Sequence, residues 1–235
     1  MTVTLIGLIL AMGLPSLFAF LKHGKQQGPI ELWPHLIKSW GGCIAVMALV
    51  LLWERRTLAS IGIVPGNYLA WLIGATLGLT ILATSVISVI QASKGGKAAL
   101  PEESAEGLNR LLGRPAWFRW AVVVTAGITE EIMFRGYPIE RLHELTGNLW
   151  IAALIPLTVF TLAHLGGWSW GHLVGVLFGG SLLTGLYLWQ RDLIACMIAH
   201  VLIDSLIIFL PALLKKLAAR AARYAHAQNQ AAKPF

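Results

Sequence analysis

The sequence predicts an all-α, polytopic transmembrane helical bundle of about seven spans, or eight if a re-entrant or interfacial segment is added. Three observations carry that prediction. Apolar residues make up 57% of the chain and charged residues only 12%, whereas a water-soluble domain uses roughly a quarter charged residues to solvate its surface. Mean hydropathy is +0.71. Finally, apolar runs long enough to cross a hydrocarbon core of about 30 Å, which takes about 20 helical residues, recur along the chain with proline and glycine between them.

The runs fall near 3–22, 35–53, 67–91, 116–138, 149–165, 172–190 and 193–214. No basic residue precedes the first and no small-residue cleavage pattern follows it. Lys22 and Lys25 come after it instead, so it is expected to be a retained span and not a signal peptide. Pro29 and Pro34 precede the second run, and Pro65-Gly66 separates it from the third. Ser85 and Ser88 in the third run have no histidine within local reach, so they are expected to satisfy carbonyls or neighbouring helices. Gly95-Gly96, Pro101 and Gly113 lead to the fourth run, Gly147 falls between it and the fifth, and Gly166-Gly167 follows the fifth. No internal repeat or low-complexity segment is present. The expected organisation is an N-terminal set of helices without a catalytic motif (1–115), a core carrying every motif described below (116–214), and a basic, alanine-rich cytoplasmic tail (215–235).

The formal charge of +7 and pI near 9.7 fit a membrane protein whose basic residues hold loops on the cytoplasmic side. No basic stripe interleaves with stacking aromatics, so nucleic acid is excluded as a partner. With seven spans and the C-terminus inside, inner loops and flanks hold thirteen Lys and Arg. The outer side holds five, namely Arg55, Arg56, Arg135, Arg141 and Arg191, which predicts N-out, C-in. Tryptophans such as Trp33, Trp53, Trp117, Trp150 and Trp189 fall near span ends, as interfacial anchors do. High tryptophan content and short length point to a prokaryotic inner or plasma membrane. Cys43 and Cys196 sit in apolar runs without metal-ligand spacing and read as small buried residues.

A few ionisable residues lie inside the runs: Glu130, Glu131 and Arg135 in the fourth, His164 in the fifth, His200 and Asp204 in the seventh. A charged group at mid-membrane costs at least ~2–3 kcal/mol, so such a set requires mutual pairing, an internal water cavity, or both. Glu131 and Arg135 are i,i+4 and can pair on one helical face, a structural role. Glu130 is rotated about 100° from Glu131 and faces another neighbour. His200 and Asp204 are again i,i+4, as are Phe160 and His164, the spacing that puts two zinc ligands on one face of an H-E-x-x-H helix.

Together, E-E-x-x-x-R (Glu130, Glu131, Arg135), F-x-x-x-H (Phe160, His164) and H-x-x-x-D (His200, Asp204) resemble the three-motif signature of the CPBP or Abi family of CAAX prenyl endopeptidase-like intramembrane proteases. The resemblance spans roughly 116–210. It implies an intramembrane endopeptidase acting on a membrane-associated peptide or protein, with catalytic residues Glu130, His164, His200 and Asp204, and with Glu131, Arg135 and Phe160 supporting them. Glu130 would activate a water. The last motif position, most often asparagine in the family, is Asp204 here. An ionised aspartate cannot donate to an oxyanion, so Asp204 either stays protonated or serves otherwise. The glutamate–water route requires no cofactor, whereas His164, His200 and Asp204 would supply donors for zinc in a metal-dependent one.

Two other classes compete with the protease. Intramembrane acids and histidines also mark proton- or ion-coupled transporters, although paired half-repeats with broken helices are missing. A catalytically silent immunity or scaffold relative would carry the same motifs. The span map also sets a geometric condition. It leaves Glu130 and His164 roughly 20 Å apart in depth, so a shared site requires a displaced fifth helix or a re-entrant stretch broken at Gly166-Gly167. His172 is expected at a membrane edge, and His23, His35, His143 and His226 in loops, flanks or tail.

Overall fold

Apolar runs with this periodicity have one way to satisfy their backbone in lipid, and the fold follows it: a structure with 89% helix and no strand among the described residues. The computed structural model describes residues 2–13, 15–17, 31–94, 108, 110–165 and 170–231. Lys22, His23, Lys25, Gly95-Gly96, Pro101 and Gly166-Gly167 lie outside them.

In chain order the helices are α1 (Thr2–Leu8), α2 (Leu32–Ala48), α3 (Tyr68–Lys94), α4 (Ala116–Glu131), α5 (Tyr137–Thr146), α6 (Leu149–Ala163), α7 (Trp170–Gln190), α8 (Leu193–Asp204) and α9 (Leu206–Ala231). Turns of π-helix extend α1 (Ile9–Gly13), extend α2 (Leu49–Trp53) and join α4 to α5 (Ile132–Gly136). Every apolar run is thus helical where described. Among the described residues, four helices are long and apolar enough to cross a membrane: Leu32–Trp53, Tyr68–Lys94, Gly171–Gln190 and Leu193–Arg223. Thr2–Leu17 and α6 are shorter apolar helices there. The α4–α5 helix is long enough, but its charged residues lower its hydropathy. The chain is an integral membrane protein of the helical-bundle class.

The sequence map fails at the end of the fourth run. Helix does not stop near residue 138 but runs unbroken from α4 through the π turn to Thr146, and turns at Gly147, whose φ of 66° suits glycine. Asn148 then caps α6 by accepting from Trp150 N (2.9 Å) and Ile151 N (3.1 Å). Polar residues 139–146 read as loop because hydropathy cannot see partners: Arg141 is fully buried against Glu54 (2.6 Å) from the end of α2. The consequence is geometric. Glu130 and His164 lie equally far along the chain from the Gly147 turn, so the antiparallel α5–α6 hairpin brings them to one depth, without a displaced helix.

Close backbone approach positions α8. Gly74 and Gly78 on α3 lie directly against Ala195 and Ala199, and a methyl group on Gly78 would meet Ala199 O at 2.8 Å. Gly127 on α4 does the same against Val201. Small residues at i,i+4 let helices in lipid pack backbone to backbone, so α8 is clamped between α3 and α4. Asp192 caps it by accepting from Ala195 N (2.9 Å). On the other side of α4, Trp40 of α2 donates to Thr125 Oγ1 (3.1 Å). Cys43 and Cys196 are free and buried, packed as small core residues.

Candidate active site

The three motifs arrive on three helices at one level of the bundle. Glu130 and Glu131 end α4, Arg135 sits in the π turn, Phe160 and His164 close α6, and His200 and Asp204 lie on the last turns of α8. The π turn widens the helix inside the E-E-x-x-x-R motif, and such bulges recur at functional sites.

Glu131 is the hub. It is fully buried, and its Oε1 pairs with Arg135 Nη1 and lies 2.6 Å from His200 Nδ1. The pair with Arg135 matches the sequence expectation; the bond to His200 does not follow from sequence, because it joins helices 69 positions apart. A carboxylate oxygen accepts, which assigns the Nδ1 proton to the histidine and turns Nε2 toward the other acids. His200 Nε2 lies 3.5 Å from Asp204 Oδ2 and 3.9 Å from Glu130 Oε2. Arg135 is held in turn by Gly180 O (3.5 Å) and by the face of Phe160, 4.9 Å from its guanidinium carbon. Arg135 is 2% exposed, inside the bundle.

His164 occupies the C-cap of α6, and its Nδ1 lies 2.8 Å from Phe160 O. Since a carbonyl only accepts, Nδ1 donates, and Nε2 of the neutral ring is left to accept a proton from a water or substrate. Phe160 fixes the ring edge-on at 4.7 Å and itself packs edge-on against Phe134 at 5.4 Å. Glu130 is within electrostatic reach of His164, His200, Asp204 and Glu131.

Accessibility divides the cluster. Glu131 and His200 are buried, yet the side chains of Glu130 and Asp204 keep 29% and 35% of their surface. The arrangement therefore offers two reachable carboxylates at the Nε2 side of an oriented imidazole. His172, at the start of α7, is within electrostatic reach of His164 and Asp204, a proximity that no local spacing in the sequence reports.

Among the described residues no group of three or more His, Cys, Asp or Glu side chains is placed to hold one metal ion, and His200 Nδ1 is engaged by Glu131, which leaves Nε2 as the nitrogen open to a ligand.

Comparison with known proteins gave one family. Residues 112–206 match the family described as type II CAAX prenyl endopeptidase Rce1-like. No curated protein and no solved structure matched. The matched stretch contains all three motifs, from ahead of α4 to just beyond Asp204. The motif-bearing residues 112–206 of this integral membrane chain are thus similar to the Rce1-like type II CAAX prenyl endopeptidases, a match consistent with the CPBP/Abi family of membrane proteases that the three motifs resemble.

Proposed function

We propose that the chain hydrolyses a peptide bond of a membrane-associated peptide or protein, using a water activated by Glu130. One observation carries this reading: a reachable carboxylate, Glu130, faces the Nε2 side of an imidazole that a second, buried carboxylate already holds in orientation. This is the geometry of an acid–base site. A purely structural cluster would bury and saturate every charge.

In the proposed reaction Glu130 takes a proton from a water that also hydrogen-bonds to His164 Nε2. The water oxygen attacks the scissile carbonyl carbon, and a tetrahedral oxyanion forms. A proton on His200 Nε2 and the hydroxyl of protonated Asp204 face that oxyanion. Glu130 then returns the proton to the leaving amine as the C–N bond breaks. Glu131 and Arg135 keep His200 and the π turn in register. Glu130 lies near the middle of the 116–146 helix, so the carbonyl is attacked near mid-membrane depth, where water is scarce and electrostatic stabilisation is strong.

The chain is further proposed to have about seven crossings, in a prokaryotic inner or plasma membrane with its C-terminus in the cytoplasm. Support comes from the basic tail beyond the apolar part of α9 and the excess of Lys and Arg on that side.

The direct test is peptidomics of cells carrying the native chain or Glu130→Gln, followed by cleavage of the identified peptide with purified proteins. Loss of cleavage by a folded Glu130→Gln protein is expected, with kcat down about 10²–10⁴-fold. Undiminished turnover removes the assignment, and proton-driven uptake that survives Glu130→Gln with His200→Ala would indicate a transporter unrelated to this site. Metal dependence is decided separately. Full activity after exhaustive chelation is expected, while loss on chelation and rescue by zinc would move His164, His200 and Asp204 into a ligand role.

A further inference from the structure

A second charged cluster lies at the C-terminal end of the 116–146 helix, apart from the imidazole–carboxylate site. There the 54–63 loop folds over the end of the bundle. Its floor is fixed: Arg141, fully buried, donates to Glu54 Oε2 from both Nε (2.9 Å) and Nη2 (2.6 Å) and to Ser60 Oγ (3.0 Å), while Tyr137 donates to Glu54 Oε1 (2.9 Å). Leu193 N donates to Gly62 O (2.7 Å), pinning the loop to the start of α8.

Above this floor is a recess of about 420 Å³. Two ion pairs line it, Arg56 with Glu144 (2.6 Å) and Arg191 with Glu140 (2.8 Å). Both guanidiniums and Glu144 keep 42–44% of their side-chain surface. The hydrogen bond that it donates to Glu144 also holds the Arg56 guanidinium above its ordinary pKa. Exposed pairs of this kind contribute only about 0–1 kcal/mol, so the two guanidiniums can turn to a ligand, while the carboxylates stay in place: Glu140, 21% exposed, also accepts from Tyr187 Oη (2.9 Å) and Glu144 from Arg141 Nη1 (3.3 Å). The depth of the recess is marked by three tryptophans at this end of the bundle. Trp53, Trp150 and Trp189 are 60%, 71% and 71% exposed, as residues at the headgroup level of a bilayer are.

We propose that this recess binds the headgroup of a primary-amine phospholipid, of the phosphatidylethanolamine class. Two guanidiniums take the phosphate in charge-assisted bonds. Two carboxylates take the ammonium, whose three N–H donors match them. The chemistry discriminates. A choline headgroup has no N–H to give the carboxylates, and a glycerol headgroup has no cation. The lipid, and not the free phosphate ester, is the ligand, because the recess opens at the interface beside exposed apolar residues such as Leu52, 78% exposed, that acyl chains can cover.

The test uses the full chain in nanodiscs of phosphatidylcholine alone, or with added phosphatidylethanolamine or phosphatidylglycerol. Native mass spectrometry after release reads the lipid retained. Selective retention of one phosphatidylethanolamine is expected from the native chain. Arg56→Gln with Arg191→Gln, and separately Glu140→Gln with Glu144→Gln, should each lower that selectivity by about tenfold or more, equivalent to about 1.4 kcal/mol. The native chain alone also decides: equal retention of the three lipids, or preference for phosphatidylglycerol, overturns the proposal. Selectivity that survives in both folded double variants overturns the location. Soluble phosphoethanolamine binding the delipidated protein as tightly as the lipid overturns the lipid as ligand.

Discussion

Adjacent glutamates on α4 should respond in opposite ways to the same conservative change, and the pair tests the site at its hub. Glu131→Gln keeps the side-chain shape but removes the charge that Arg135 and His200 share. One amide oxygen replaces Oε1, and the amide NH2 then points at groups that themselves donate. Glu131 is fully buried and Arg135 is 2% exposed. Removing one partner of such a pair costs about 3–5 kcal/mol. Arg135 retains Gly180 O and the Phe160 face, which places the expected loss near the lower end, about 3 kcal/mol. His200 also loses the acceptor at 2.6 Å that orients it, and a displacement of the order of 1 Å lowers turnover about 10²-fold. Glu130→Gln should do the reverse. Its carboxylate is 29% accessible and lies beyond hydrogen-bond distance from His200 Nε2, so stability should stay within about 0.5 kcal/mol of native while cleavage is lost. The assay is reversible unfolding in mixed micelles followed by circular dichroism, alongside cleavage of the substrate peptide. A Glu131→Gln protein as stable as native, or Glu130→Gln as the destabilised member, would refute the reasoning.

Other consequences can be measured with the same substrate. Asp204→Asn should retain activity within about tenfold, because an amide can donate where a protonated acid would, whereas Asp204→Ala should lower kcat about 10²–10³-fold. Equal inactivity of the two would show that a carboxylate is required. Gly78→Leu should cost about 1–3 kcal/mol through overpacking and lower turnover by shifting α8, since its Cβ would meet Ala199 O at 2.8 Å and Leu202 Cβ at 2.7 Å. Gly175→Leu, at a position with open space, is the control and should change neither stability nor turnover.

Much of the site was legible because its signals are local or chemical. An acid or imidazole inside an apolar run stands out wherever it occurs, and the i,i+4 intervals of Glu131 with Arg135, Phe160 with His164 and His200 with Asp204 report helical faces directly. The illegible parts depend on distant partners. Arg141 looked like a loop residue until Glu54 was found against it, and the helix boundary near 138 was misplaced for the same reason. The nearness of His172 to His164 and Asp204 was hidden because those neighbours belong to other helices. Gly74 and Gly78 drew no attention in the third run, since their role exists only against Ala195 and Ala199.

Sequence alone determined the solvent of this protein, the helical nature of its runs and the residues that carry the three motifs, because hydropathy and helical periodicity are properties of short stretches of chain. Tertiary structure decided which of those residues meet. Extending the fourth helix to Thr146 equalises the depths of Glu130 and His164, and close glycine packing carries His200 to Glu131. Both depend on contacts between segments far apart in sequence, where burial and charge pairing, not local preference, set the free energy.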